Sequence, residues 1–177
     1  ALEPFRHAGE SGYENAYDIH RALQEMMFSL VGIIRTEDEM REALAELDKL
    51  DERAKKLKAE GPIAFNPGWH LCFDVENMLL LGRCIANAAL LRQESRGGHT
   101  RNDFPTMDPE WRRTLLECSL DGGTVKVARI PGPKVAPELM ALFDRHELEK
   151  YFTTEEIDEA EAANRAGGAT AATGERA

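Results

Sequence analysis

The stretch Thr36–Leu57, TEDEMREALAELDKLDERAKKL, decides how the chain is read. Thr36 followed by Glu39 forms a capping box. The hydroxyl accepts from one orphan backbone N–H, and the carboxylate reaches back to another. Glu37, Asp38 and Glu39 also suit the positive end of a helix dipole. Met40, Ala43, Leu47, Leu50, Ala54 and Leu57 then alternate steps of three and four. That spacing makes a narrow apolar seam opposite a charged, solvated face, as in a helical hairpin or coiled coil. Gly61-Pro62 ends the element.

A seam needs partners, and both flanks supply one. Upstream, Ile19, Leu23, Met26, Met27, Leu30 and Ile34 share one face of a helix expected over Asn15–Ile34, weakened near its end by Gly32. Downstream, Asn66-Pro67 is an N-cap followed by proline at the first helical position. The helix it opens runs through WHLCFDVENMLLLGRCIANAALLRQE and is apolar around most of its circumference. It is therefore expected to be the most buried helix, with Leu79 and Ile85 in the core. Gly82, Ala86 and Ala89 would let a neighbour approach closely.

Past this helix the period changes. Leu116, Cys118 and Leu120 alternate with polar residues, as do Val125 and Val127, and Asp121-Gly122-Gly123 between them reads as a hairpin turn. Pro131-Gly132-Pro133 breaks the chain. Pro137 can open a helix whose inner face includes Leu139, Leu142, Phe143 and Leu148, and Thr153 with Glu156 looks like a second capping box. The expected fold is mainly α: an up-down-up three-helix bundle of the spectrin-repeat type, then a small β-hairpin and short C-terminal helices. The opening ALEPFRHAGE lacks an initiator methionine and reads as a linker within a longer protein. The expected organisation is a linker over 1–12, the bundle and its following loop over 13–105, the hairpin and C-terminal helices over 106–166, and a disordered tail over 167–177.

Composition narrows the function. The chain has 177 residues, 42% of them hydrophobic and 31% charged, with a formal net charge of -10. Such an acidic balance argues against a nucleic-acid surface. No apolar run reaches the roughly 18 residues of a membrane span. Cys72, Cys84 and Cys118 are odd in number and far apart, which suits neither a disulfide framework nor a metal knuckle. They read as small buried hydrophobes in a reducing compartment. His70 and Cys72 lack the further ligands that zinc requires. Neither G-x-G-x-x-G nor G-x-x-x-x-G-K-[ST] occurs, so no nucleotide cradle is visible. Trp69 and Trp111 read as packing anchors.

The chemistry gathers in ESRGGHTRNDFP, residues 94–105. Arg96 and Arg101 could grip carboxylates through their planar forks of donors. His99 could move a proton near neutral pH. Gly97 and Gly98 permit a tight turn. The residue types allow a small-dianion site, a clamp against another domain, or a solvated loop. Ser95 lacks a nucleophile-elbow context.

The same stretch resembles the E-S-R-G-x-H-x-R-x-D-x-P signature of the succinate dehydrogenase and fumarate reductase flavoprotein family. YDIHRALQEMM, VGIIRTEDEM, NPGWH and DVENMLLLGRCIANAALLR are similar to the three-helix C-terminal domain of that family, and DPEWRRTLLECSLDGG to the segment after it. The likeness covers about residues 13–152. Gly98 stands where the family more usually has alanine. The resemblance implies a longer enzyme in which FAD and capping domains, lying upstream, interconvert succinate and fumarate. Electrons would leave through an iron–sulfur subunit, often toward quinone, from a cytoplasmic position on the membrane face. FAD would be held upstream, and no catalytic, cofactor-binding or metal residue is assigned to this chain. Glu94, Ser95, Arg96, His99, Arg101 and Asp103 match the signature and are expected to brace the flavin domain near its substrate site. Arg96 is expected to be hydrated in this chain and to find its partner in the flavin domain. L-aspartate oxidase shares the signature. The W-R-R-T-L segment, the hairpin and ELMALFDRHELEKYF resemble the dehydrogenase branch instead. A free-standing helical adaptor docking through the Met40–Leu57 seam is the third reading.

Overall fold

The computed structural model describes residues 2–173, with side chains through residue 166. It contains α1 (Glu3–Arg6), β1 (Glu14–Asn15), α2 (Ala16–Leu30), β2 (Ile34–Arg35), α3 (Glu37–Ala54), β3 (Leu57–Lys58), α4 (Pro67–Leu91), β4 (Thr100–Arg101), a 3-10 turn (Pro109–Arg113), β5 (Thr114–Asp121), β6 (Thr124–Pro131), α5 (Pro137–Met140), α6 (Arg145–Leu148) and α7 (Thr154–Thr173). Two compact units result, Ala1–Ile130 and Pro131–Ala177, and the hairpin belongs to the first.

The first unit is the up-down-up bundle, α2, α3 and α4, with the hairpin after it. Each helix starts on the cap its sequence announces. Asn15 accepts from the Tyr17 N–H at 2.9 Å, and Asn66 from the Trp69 N–H at 3.0 Å. The capping box is complete: Thr36 N–H donates to Glu39 at 2.7 Å, while the Glu39 N–H donates to the Thr36 hydroxyl. The whole seam of α3 is buried, and Leu57 continues it from β3. Ile19 and Leu23 of α2 and Cys72, Val75, Leu79 and Ala86 of α4 complete the core. At Gly82 the three helices meet closely. A Cβ there would lie 3.4 Å from both Leu47 and Met27 and 3.8 Å from Leu23.

Four expectations change. α2 stops at Leu30, so Ile34 leaves the apolar face and lies exposed in β2. α4 is less enclosed than its composition suggests: Leu81 and Ile85 are exposed, the latter at 50%, because α2 and α3 cover only part of its circumference there. The helix expected from Pro137 is two short turns, α5 and α6, interrupted by extended backbone at Asp144. Met140 and Leu148 are buried there with Ile157 and Ala160 of α7, while Leu139, Leu142 and Phe143 are exposed. Of the three cysteines Cys72 alone is buried. Cys118 is exposed, its thiol 3.9 Å from the Cys84 carbonyl.

Residues 1–12 carry α1, which packs on the bundle. The Ala59 N–H donates to the Pro4 carbonyl at 2.9 Å, and the Phe5 and Trp69 rings lie 5.8 Å apart. Trp111 is buried with Arg129 3.9 Å and Arg92 4.8 Å from its ring, so both tryptophans are packing anchors. The tail expected from Gly167 falls partly on α7, helical to Thr173, and residues 174–177 lie outside the described residues.

Burial ranks three substitutions. Leu79→Ala should cost about 3 kcal/mol, the usual price of a core cavity. Ile85→Ala should cost less than about 1 kcal/mol, and a change at exposed Lys55 less than about 0.5 kcal/mol. Chemical denaturation of the three variants checks the order. An Ile85 effect as large as that of Leu79 would contradict the exposed face of α4.

Candidate functional site

Two parallel two-residue strand pairs tie the ends of the bundle. β1 pairs with β3, and the Arg53 guanidinium grips Glu14 beside them at 2.6–3.0 Å. β2 pairs with β4 at the other end, setting Arg35 opposite Arg101. This second end holds all six signature residues.

The chain leaves α4 at Arg92 and folds back at once. Arg96 and His99 exchange backbone hydrogen bonds of 2.8 and 3.0 Å across Gly97-Gly98. Gly97 has φ +57°, a left-handed conformation that favours glycine. Gly98 does not, so alanine would fit there equally well.

Ser95 is the internal pin. Its hydroxyl accepts the Arg101 N–H at 2.8 Å and lies 2.8 Å from the Phe104 carbonyl, to which it donates. The loop is thus closed on itself from Glu94 to Phe104.

Arg101 is fully buried, and its donors are almost all used. Nε and Nη2 form a side-on fork with Asp103 at 2.7 and 2.6 Å. Nη1 donates to the carbonyls of Ala89 and Leu90 at 3.1 Å and of Arg92 at 3.3 Å. Ala89 and Leu90 are in the last turn of α4, where carbonyls lack helical partners. Asp103 also accepts the Glu37 N–H at 3.0 Å, in the first turn of α3. One ion pair therefore places a cation at the C-terminal end of α4 and an anion at the N-terminal end of α3, each favoured by the local dipole. The Arg101 guanidinium holds the Asp103 carboxyl down at about 2.

Glu94 is likewise fully buried. It accepts from Arg92 at 2.6 Å, from Arg96 at 2.9–3.2 Å and from the Asp108 N–H at 3.0 Å. Burial pushes its pKa up, but the bonds from Arg96, Asp108 and Arg92 outweigh it and leave the carboxyl below its ordinary range. The partner expected in another domain is thus already present: Arg96 pairs with Glu94 and donates to the Asp108 carbonyl at 3.1 Å. The reason is the turn at Gly97, which folds the Arg96 side chain back over Glu94.

His99 sits 3.1 Å from the Arg92 carbonyl through Nε2, so that nitrogen carries the proton. Burial lowers its pKa. The Arg92 carbonyl opposes this, while the charges of Arg35, Arg101 and Arg92 add to the depression. A neutral imidazole among three guanidinium groups is the result.

The site thus gathers all six predicted residues, as two buried ion-pair groups joined by Ser95 and the Arg92 carbonyl. Sequence reasoning missed Arg92, Asp108 and Arg35. Arg92 could have been suspected from its place at a helix C-terminus. The other two come close only through the tertiary fold. Among the described residues no group of three or more His, Cys, Asp or Glu side chains could hold a metal ion, and no helix is long and apolar enough to cross a membrane.

Comparison with known proteins supplies the family. The profile described as "Fumarate reductase flavoprotein C-term" matches residues 20–141. The fumarate reductase flavoprotein subunit of Helicobacter pylori is 40% identical over 107 residues, 59% of this chain and 15% of its own length. The succinate dehydrogenase flavoprotein subunit of Bacillus subtilis is 36% identical over 107 residues, 59% of this chain and 18% of its own. The L-aspartate oxidase of Caulobacter vibrioides is a weaker match, 35% identical over 118 residues, 67% of this chain and 18% of its own. Among solved structures, the Mycobacterium smegmatis Sdh1 complex in the apo form superposes with a TM-score of 0.74 at 47% identity, covering 88% of this chain and 27% of that one. The chain therefore spans less than a fifth of the length of these curated relatives. With the family profile covering the bundle, the signature loop and the hairpin, the chain belongs to the fumarate reductase flavoprotein C-terminal family.

Proposed function

We propose that this chain is the helical C-terminal portion of a succinate dehydrogenase or fumarate reductase flavoprotein subunit, and that it braces the FAD and capping domains of that subunit. The observation that carries this is the 47% identity with the Sdh1 chain over 88% of the present one. The flavoprotein names of the Helicobacter and Bacillus relatives support FAD in the parent protein. The residues of this chain do not themselves fit a dinucleotide, since no glycine-rich phosphate turn opens any of its long helices. In this reading electrons leave through an iron–sulfur subunit, and the complex sits on the cytoplasmic face of the membrane.

The loop's geometry suits a bracing role. Glu94, Ser95, Arg101 and Asp103 spend their hydrogen bonds inside the chain, so they stiffen the end of the bundle. Ile33 and Ile34 beside them, and Leu81 and Ile85 on α4, are apolar and exposed, which suits a surface covered by further protein. Rigid support matters because a misplacement of about 1 Å near reacting groups can cost on the order of 100-fold in rate.

The test compares this chain with the full-length parent. Alone it should show helical circular dichroism, no flavin absorbance and no succinate-dependent dye reduction. The parent should bind one FAD and reduce dye with succinate. A parent that oxidises L-aspartate in place of succinate would overturn the reading in favour of the oxidase branch.

A further inference from the structure

Arg35 is the charged side chain that the loop does not use. It is only 9% exposed, and among the described residues its side chain makes no hydrogen bond and no ion pair. Its Nε is buried without a partner, while its terminal nitrogens reach the surface. The strand pairing sets it opposite Arg101, whose own fork is filled by Asp103. Burial and the Arg101 charge both lower its pKa. Every other arginine of the cluster has a carboxylate: Arg92 and Arg96 share Glu94, and Arg101 has Asp103. A desolvated guanidinium with unused donors is costly unless an anion meets it. Ile33 and Ile34, which precede Arg35 directly, are apolar and exposed.

We propose that Arg35 is the receptor for an acidic side chain carried by the flavoprotein polypeptide outside this chain, so that the carboxylate completes the cluster when the two parts dock. This rests on the bracing role proposed above and names the chemistry of its contact. A carboxylate fits because a guanidinium edge offers two parallel donors. The chain spans under a fifth of the length of the Helicobacter and Bacillus relatives, which leaves ample polypeptide to supply the group. His99 is the reporter of occupancy. It feels the charge of Arg35 together with those of Arg92 and Arg101, so an anion beside Arg35 should raise its pKa.

The decisive measurement is the sign of one substitution in two contexts. In this chain alone, Arg35→Met should raise the melting temperature by about 2–4 °C, because it removes a buried charge without a partner. In the full-length flavoprotein the same change should lower it by at least as much, because it strands the carboxylate. The chemistry is read separately. Sodium acetate, against sodium chloride at equal ionic strength, should shift the His99 ring resonances saturably in this chain. It should do so weakly in Arg35→Lys and not at all in Arg35→Met. In the full-length protein acetate should leave His99 unchanged, since the site is filled. The same sign of stability change in both contexts would overturn the proposal. So would an acetate response equal to that of chloride in this chain, or one that persists in the full-length protein. These readouts need no turnover, so a parent without succinate activity would sink the bracing function in that enzyme and leave them standing.

Discussion

Arg101→Met should lower the stability of this chain by about 3–5 kcal/mol, the typical cost of removing one member of a buried ion pair. Three losses combine. Asp103 loses its fork, the last carbonyls of α4 lose their donor, and the link from α4 to the start of α3 is cut. Methionine restores much of the volume, so the effect reads the polar network rather than a cavity. Thermal melting at neutral pH should show a fall on the order of 10 °C.

The pH dependence separates the ion pair from packing. Asp103 has its pKa lowered from 3.8 to about 2 in the folded chain. A depressed carboxylate contributes stability that is fully present above its unfolded pKa and is lost as pH falls through the folded one. The difference between wild type and Arg101→Met should therefore be constant from pH 5 to 7 and shrink between about pH 5 and pH 2. A difference that does not change over that window would assign the loss to packing alone.

Glu94→Gln should cost a similar amount, about 3–5 kcal/mol. The glutamine keeps the shape and can still accept the Asp108 N–H. It cannot balance Arg92 and Arg96, which converge on the carboxylate within 2.6–3.2 Å. Arg96→Ala should cost less, because Arg92 and the Asp108 N–H remain on Glu94. Coupling provides the sharper result. Once Glu94 is glutamine, the further loss of Arg96 should cost much less than it does in the wild type, a non-additivity of at least about 1 kcal/mol. Strict additivity would mean that the Arg96–Glu94 contact contributes nothing.

Much of the bundle is visible before any coordinates. The capping box at Thr36–Glu39, the asparagine caps at Asn15 and Asn66 and the seam from Met40 to Leu57 are local patterns. A capping side chain needs only the next three residues, and an amphipathic face needs only a period. Gly82 was legible for the same reason, as a small residue on an apolar helix. The hairpin followed from alternation around Asp121-Gly122-Gly123.

Ile85 and Ile34 show where that reasoning stops. Both belong to apolar patterns, yet both are exposed. A pattern says that a face is apolar, and it does not say whether this chain or another polypeptide covers it. Leu142 and Phe143 were placed inside a helix that the chain breaks at Asp144, because short helices depend on packing more than on propensity.

The sequence by itself determined the helices, their caps, their order and the family signature, because each is written in residues near one another along the chain. The tertiary structure alone decided how the signature is used. Arg101 reaches Ala89 and Leu90 behind it, Asp103 reaches Glu37 on another helix, and Arg96 turns back to Glu94. Which carboxylate meets which guanidinium depends on where α4 ends against the start of α3. That junction exists only after the apolar seam has closed and brought β2 beside β4.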